Sequence, residues 1–346
     1  MAKTVSFPRV AERALIVGLS GPLLTPDERD FFADLNPWGF ILFSRNVSSP
    51  EQMRRLTGNL RDTVGRDAPI LIDQEGGRVA RMKEPHWQEW APVRDVCDGM
   101  SNEIALMRAL RLRYRIIALE LREVGVDVNC VPLVDVPQLN AHPVIGNRAL
   151  GVKPMEVAIR AREVASGTLE GGCLPVIKHL PGHGRALHDT HENMTRVTAS
   201  VEELRRVDFP PFLALRDVAL GMTAHVIFDA IDPKACATHS PAVIDIVRGE
   251  LGFDGLLMTD DISMKALDLP MHLRVRRALH AGCDVILHCN GNSSEMKAIA
   301  EEAPELQGAA LQRAEHALAQ RGRPRDGKIA DLRAIHDGLL KEMTHV

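Results

Sequence analysis

The chain has 346 residues, 45% hydrophobic and 25% charged, the balance of an ordinary globular protein with room for one large domain or two smaller ones. A formal net charge of −4 leaves no basic footprint for nucleic acid or an anionic membrane, and the apolar runs fall short of the roughly 18–20 residues of a membrane span. The first ten residues lack the apolar core and cleavage site of a signal peptide, and six dispersed cysteines (Cys97, Cys130, Cys173, Cys236, Cys283, Cys289) lack the paired spacing of a zinc site, so a reduced, monomeric, cytoplasmic protein is expected.

Residues 14–21 (A-L-I-V-G-L-S-G) read as a strand. In the T-P-D-E that follows at 25–28, threonine caps a helix, proline suits its first turn and the acids complement its dipole. Residues 38–43 form a second strand, Ser49-Pro50 opens a helix to about 64, and residues 68–72 form a third strand ending in D-Q-E-G-G-R. An amphipathic helix covers 102–124, a fourth strand region covers 126–136, and a further helix covers 153–171.

Residues 174–177 form a fifth, buried strand. Pro181, Gly182 and Gly184 then break regular structure, so K-H-L-P-G-H-G-R-A-L-H-D-T-H (178–191) carries its polar groups out on a loop. A helix over 201–218, interrupted at Pro210-Pro211, precedes a sixth strand at 221–228, with Asp229 and Asp232 in the loop after it. Ser240-Pro241 caps a helix through 250. A seventh strand at 255–259 ends in Asp260-Asp261, a helix covers 273–280, an eighth strand covers 283–288, and 304–342 is helical and charged. Eight short strands alternating with helices predict a closed TIM-like (β/α)8 barrel, a single domain over 1–346 with helices 304–342 packed on it. An open doubly wound sheet is the alternative, but no G-x-G-x-x-G follows the first strand.

In such a barrel the strand ends share one rim. That brings together Asp73 with Arg78 and Arg81 behind it, Arg148 of I-G-N-R, Lys178 and His179, the loop carrying Asp189 and His191, and Asp260-Asp261. Each has a plainer reading. The 178–191 run can be a solvated surface loop, Asp73 a turn residue, and Arg81 or Arg148 an ordinary ion-pair partner; His183 and His188 are read as loop and packing residues. Asp261 precedes I-S-M-K-A-L and is read as a helix cap. Carboxylate, imidazole, lysine and arginine without a cofactor motif suit glycoside hydrolysis. A retaining mechanism needs a carboxylate nucleophile and a proton donor to the leaving oxygen, which Asp260 and His191 can supply, with Asp189 orienting the imidazole.

K-H-L-P-G-H-G with D-T-H behind it, D-Q-E-G-G-R-V-A-R, I-G-N-R and G-F-D-G-L-L-M-T-D-D-I-S-M resemble, in order over about 14–290, the bacterial β-N-acetylglucosaminidases of glycoside hydrolase family 3, the NagZ type. The resemblance implies a retaining exo-β-N-acetylglucosaminidase acting on N-acetylglucosamine linked β-1,4 to anhydromuramic acid in cell-wall recycling. It implies Asp260 as nucleophile and Asp189 and His191 as acid/base dyad. Asp73, Arg81, Arg148, Lys178 and His179 fall on sugar-binding positions, and no metal or cofactor is implied. Leu180 stands where the family usually has phenylalanine, and D-T-H replaces the commoner D-S-H.

Two other readings stay open. One is a metal-dependent hydrolase, since His179 and His183 are four apart, although Pro181-Gly182 rules out a helix that would align them. The other is a sugar-binding or sensor protein without catalysis. A phosphorylase is a finer variant of the enzyme, because a histidine acid/base leaves room for an anionic acceptor.

Overall fold

The computed structural model describes residues 11–139, 141–188 and 194–341. Its strands are β1 (Arg13–Gly18), β2 (Pro37–Leu42), β3 (Ile70–Ile72), β4 (Val128–Asn129), β5 (Leu174–Leu180), β6 (Thr195–Val197), β7 (Leu220–Thr223), β8 (Val226–Phe228), β9 (Leu256–Met258) and β10 (Ile286–His288). Eight of them pair in parallel in the order β10-β1-β2-β3-β4-β5-β7-β9. A parallel bridge from Met258 to Val285 joins the sheet's two edges. The domain is thus the TIM-like (β/α)8 barrel that the alternation of strands and helices predicts. Among the described residues, no helix is long and apolar enough to cross a membrane.

Parallel strands covered on both faces need apolar side chains pointing both ways. Ile16, Leu71, Val128, Val176, Leu220, Met258 and Leu287 belong to one cluster inside the barrel. Leu15, Val17, Ile70, Ile72, Ile177, Leu257 and Ile286 belong to the layer under the helices. Helix Gly308–Ala319 sends Ala314 and Ala317 into the interior cluster and so closes the mouth at the strands' N-terminal ends. Helix Ile329–Lys341 lies along helix Glu103–Glu123, with Arg333 on Glu120 and His336 edge-on to Trp90 at 5.4 Å.

The predicted caps hold. Thr25 and Glu28 form a capping box ahead of Pro26, Ser49 accepts from the Gln52 amide, and Ser240 accepts from that of Val243. Several boundaries differ from the sequence reading. The fourth strand region shrinks to two residues, because Val131-Pro132 interrupts the ladder; the chain rejoins β5 through a Leu133–Lys178 bridge. The fifth strand runs on to Leu180, so Lys178 and His179 belong to the strand rather than to the loop. The sixth splits at Ala224-His225, and β8 leaves the barrel to pair with β6.

The helix from Pro241 turns from α to π winding at Ile246. In place of one helical stretch over 304–342, the described residues form two helices, Gly308–Ala319 and Ile329–Lys341, divided around Gly322, Pro324 and Gly327. Asp261 caps no helix. Residues 262–269 are turns whose carbonyls at Ile262, Met264 and Leu269 are taken by the Arg274 guanidinium at 2.9, 3.2 and 2.7 Å, in place of helical amides.

Candidate active site

The rim at the C-terminal strand ends begins with the loop after β3. Gly76 and Gly77 take φ of +99° and +57°, conformations open to glycine, and turn the chain back so that the amides of Glu75 and Gly76 both donate to the Val79 carbonyl. The Gln74 side chain braces the loop by accepting from the Arg81 and Met82 amides at 2.8 and 3.0 Å. This folding sets Arg81 beside Asp73, with Nη2 donating to Oδ2 at 3.0 Å.

From β5, Lys178 Nζ lies 3.0 Å from Asp73 Oδ1 and 2.7 Å from Glu75 Oε1. Arg148 grips Glu75 with two hydrogen bonds of 2.9 and 2.8 Å. The result is an alternating chain, Arg81–Asp73–Lys178–Glu75–Arg148, in which three cations face two carboxylates. Burial alone would raise both carboxyls. Lys178 and Arg81 overcome it to hold Asp73 far below the usual carboxylate range, and Arg148 and Lys178 bring Glu75 to about 2. Burial likewise opposes the charge on Lys178, but Asp73 and Glu75 outweigh it and raise its pKa.

His179 follows Lys178 across a cis peptide, and the β5–β7 register shifts between Lys178 and Leu180. Both side chains line the same cavity. The His179 ring sets Nδ1 2.8 Å from Asp135 Oδ2, and Asp135 Oδ1 accepts from the amides of His183 and His179 at 2.7 and 3.3 Å. The His183 ring stands 5.3 Å from that of His179, so the turn through Pro181-Gly182 brings together two imidazoles that the sequence reading kept on separate faces. Burial, with His179 adding to it, pushes His183 down to about 4. Gly184 then passes Val136 so closely that a Cβ would sit 2.0 Å from its carbonyl oxygen.

The last wall comes from the end of β9. Asp260 lines the cavity, and its Oδ1 accepts from the Asp261 amide at 2.8 Å. Asp261 also reaches the cavity, but its carboxylate is engaged: it accepts from the Ser263 amide and hydroxyl at 3.0 and 2.7 Å and from the Cys289 amide at 3.1 Å. Behind both, the buried His225 lies with Nε2 3.0 Å from the Asp261 carbonyl and Nδ1 2.7 Å from Thr238 Oγ1. A backbone carbonyl can only accept, so Nε2 carries a proton.

Asp73, Arg81, Arg148, Lys178, His179 and Asp260 thus surround one cavity of about 330 Å³, with Phe43, Ile145, Met222 and Leu287 as apolar surface. That is near the lower end of small-molecule sites, about 300–1,000 Å³, and suits a single sugar ring. Asp189 and His191 lie outside the described residues. Asp229 and Asp232 point elsewhere, to Arg196 and to Ser240. His188 is exposed.

Sequence reasoning passed over Glu75, Asp135 and His225. Each is an ionisable residue set among apolar or glycine neighbours (Q-E-G-G, L-V-D-V, T-A-H-V), a pattern that signals a buried polar group with partners.

The model of the Glycosyl hydrolase family 3 N terminal domain matches residues 24–319. A β-hexosaminidase of Stenotrophomonas maltophilia is 36% identical over 330 residues, covering 92% of this chain and 95% of its own. One from Idiomarina loihiensis is 33% identical over 307 residues, covering 88% and 92%. NagZ from Neisseria gonorrhoeae, solved in complex with N-trifluoroacetyl-D-glucosamine, superposes with a TM-score of 0.85 at 26% identity, over 96% of this chain and 100% of that one.

Proposed function

The chain belongs to glycosyl hydrolase family 3 and is a glycoside hydrolase of the β-hexosaminidase kind, and we propose that it is a retaining, exo-acting β-N-acetylglucosaminidase. In this reading it removes terminal N-acetylglucosamine from β-1,4-linked anhydromuropeptide fragments in the cytoplasm, as part of cell-wall recycling. One observation carries the proposal. The Asp260 carboxylate lines a pocket of single-sugar size whose opposite groups are charged donors held in a fixed network. The relative solved with an N-acylated glucosamine supports an amino-sugar ligand.

Asp260 attacks the anomeric carbon and forms a covalent glycosyl–aspartate ester, which water then cleaves. His191, oriented by Asp189, protonates the leaving oxygen and then takes a proton from that water. Lys178, Arg148 and Arg81 offer donors to ring hydroxyls and the acetamido oxygen, and Asp73 accepts from hydroxyls. Because each donor is already tied to a carboxylate, its position costs little to hold when sugar arrives.

Incubation with a 2-deoxy-2-fluoro glycoside and peptide mass mapping should place the adduct on Asp260, and Asp260→Ala should cut turnover by about 10⁴-fold or more with the melting temperature retained. An adduct on another residue, or faster turnover of aryl glucosides than of aryl N-acetylglucosaminides, defeats the reading.

A further inference from the structure

Asp135 is fully buried, lies two residues beyond the Leu133–Lys178 bridge and belongs to neither the nucleophile nor the acid/base loop. Its two oxygens do different work. Oδ1 collects the backbone amides of His179 and His183, at 3.3 and 2.7 Å, and so clamps the corner where β5 gives way to the loop. Among the described residues, Oδ2 meets His179 Nδ1, at 2.8 Å. Burial would raise this carboxyl, but His179 and then His183 hold it below its ordinary value, so it is ionised and can only accept. Nδ1 of His179 must therefore be the protonated nitrogen. The edge of the ring away from Asp135 carries Nε2, and this ring lines the cavity. In the neutral imidazole with hydrogen on Nδ1, Nε2 presents a lone pair.

The rest of the cavity wall makes that polarity useful. Lys178, Arg81 and Arg148 all donate, and two of the acceptors on the wall, the carboxylates of Asp73 and Asp261, already take hydrogen bonds from the protein itself. An imidazole lone pair supplies an acceptor for a hydroxyl hydrogen beside the carboxylates of Asp73 and Asp260. We propose that Asp135 is a positioning residue that fixes the tautomer of His179, so that Nε2 is offered to the terminal sugar as a hydrogen-bond acceptor. This rests on the reading of the cavity as the terminal-sugar site.

Asp135→Asn separates the clamp from the tautomer. The amide oxygen can keep both backbone amides, while the amide NH₂ now faces Nδ1 and can only donate. The imidazole must then move its hydrogen to Nε2 and turn a donor toward a sugar hydroxyl. Nitrogen-15 NMR of the imidazoles, with His179→Gln to assign the signal, should show Nδ1–H in the native protein and Nε2–H in the variant. With aryl N-acetylglucosaminides, kcat/KM should fall about 10- to 100-fold, chiefly through KM, because the lost hydrogen bond serves bound substrate and transition state alike. The dependence on leaving-group acidity should not change, since proton delivery lies elsewhere. Among monodeoxy N-acetylglucosaminides, one should be a poor substrate for the native enzyme yet no worse than its parent for the variant.

A native His179 protonated at Nε2, as either the other neutral tautomer or the imidazolium, overturns the proposal without any variant. So does a variant whose tautomer inverts while KM stays within about twofold, a result that leaves Asp135 as a clamp only. If the native chain turns over no N-acetylglucosaminide at all, the functional reading fails, whereas the NMR assignment still reports on Asp135.

Discussion

The two mouths of the barrel both bury carboxylates among cations, and they hold them differently. At the N-terminal mouth Asp127 sits among Arg61, Arg122 and Arg321 at 2.9, 3.5 and 2.5 Å, and Asp284 among Arg248 and Arg313 at 2.6 and 3.1 Å. Each of these acids also accepts a strand's own amide, Ile70 for Asp127 and Leu257 for Asp284, both at 2.8 Å. At the C-terminal mouth Asp73 and Glu75 take their donors from side-chain tips, Arg81, Lys178 and Arg148, and the chain they form borders an open cavity. The lower acids stitch strands to the surrounding arginines. The upper ones hold cations ready for something else to bind. A carboxylate held among cations therefore means structure at one end and recognition at the other, the division of labour expected of this barrel.

Lys178→Met should break that comparison hardest. It removes the cation shared by Asp73 and Glu75 and leaves these two carboxylates with one arginine each. Breaking a buried pair costs about 3–5 kcal/mol, and loss of charged donors to the sugar should cut kcat/KM at least about 100-fold. The pH dependence follows from Glu75. Its folded pKa of about 2 is depressed below its ordinary value of 4.5, so its contribution to stability is complete above 4.5 and is lost as pH falls through about 2. Without Lys178, which helps to depress it, that contribution should be smaller and its loss complete at a higher pH. Acid titrations followed by circular dichroism check this: identical acid midpoints in variant and native protein contradict it.

Asp127→Asn tests the opposite mouth. Its three arginines are partly exposed and can rehydrate, so the cost should be about 1–3 kcal/mol, below that of Lys178→Met. Because the site lies at the other end of the strands, kcat/KM should stay within about twofold. A large loss of activity with unchanged melting temperature would deny the division between the mouths.

The barrel was legible because its strands are buried on both faces and therefore read as short continuous apolar runs between helices with marked caps at Thr25, Ser49 and Ser240. The gathering of Asp73, Arg148, Lys178 and Asp260 on one rim follows from that topology alone. Their electrostatics were not legible. Glu75 reads as part of a turn until Gly76 and Gly77 reverse the chain and aim it at Lys178 and Arg148. Strand alternation would send Lys178 and His179 to opposite faces, yet the register shift in β5 lets both line the cavity. Asp135 is an acid in an apolar run whose partners, His179 and His183, are more than forty residues away in sequence.

The smallest expected loss of stability concerns the two adjacent acids after β9, which strand parity cannot tell apart. Asp260 lines the cavity with one oxygen held by the Asp261 amide, a bond that survives any change at the Asp261 side chain. Asp261 holds the 262–263 turn and the end of β10 through Ser263 and Cys289. In Asp261→Asn the amide oxygen can still accept both backbone amides, and its NH₂ can donate to the Ser263 hydroxyl oxygen. One neutral hydrogen bond is weakened, about 0.5–1.5 kcal/mol, and kcat/KM should fall less than about tenfold. Losses as deep as those of Asp260→Ala would move the reacting carboxylate to Asp261, and steady-state rates on one aryl N-acetylglucosaminide decide between them. The small loss is expected because a carboxylate already filled with three donors of its own chain has little left to offer an anomeric carbon.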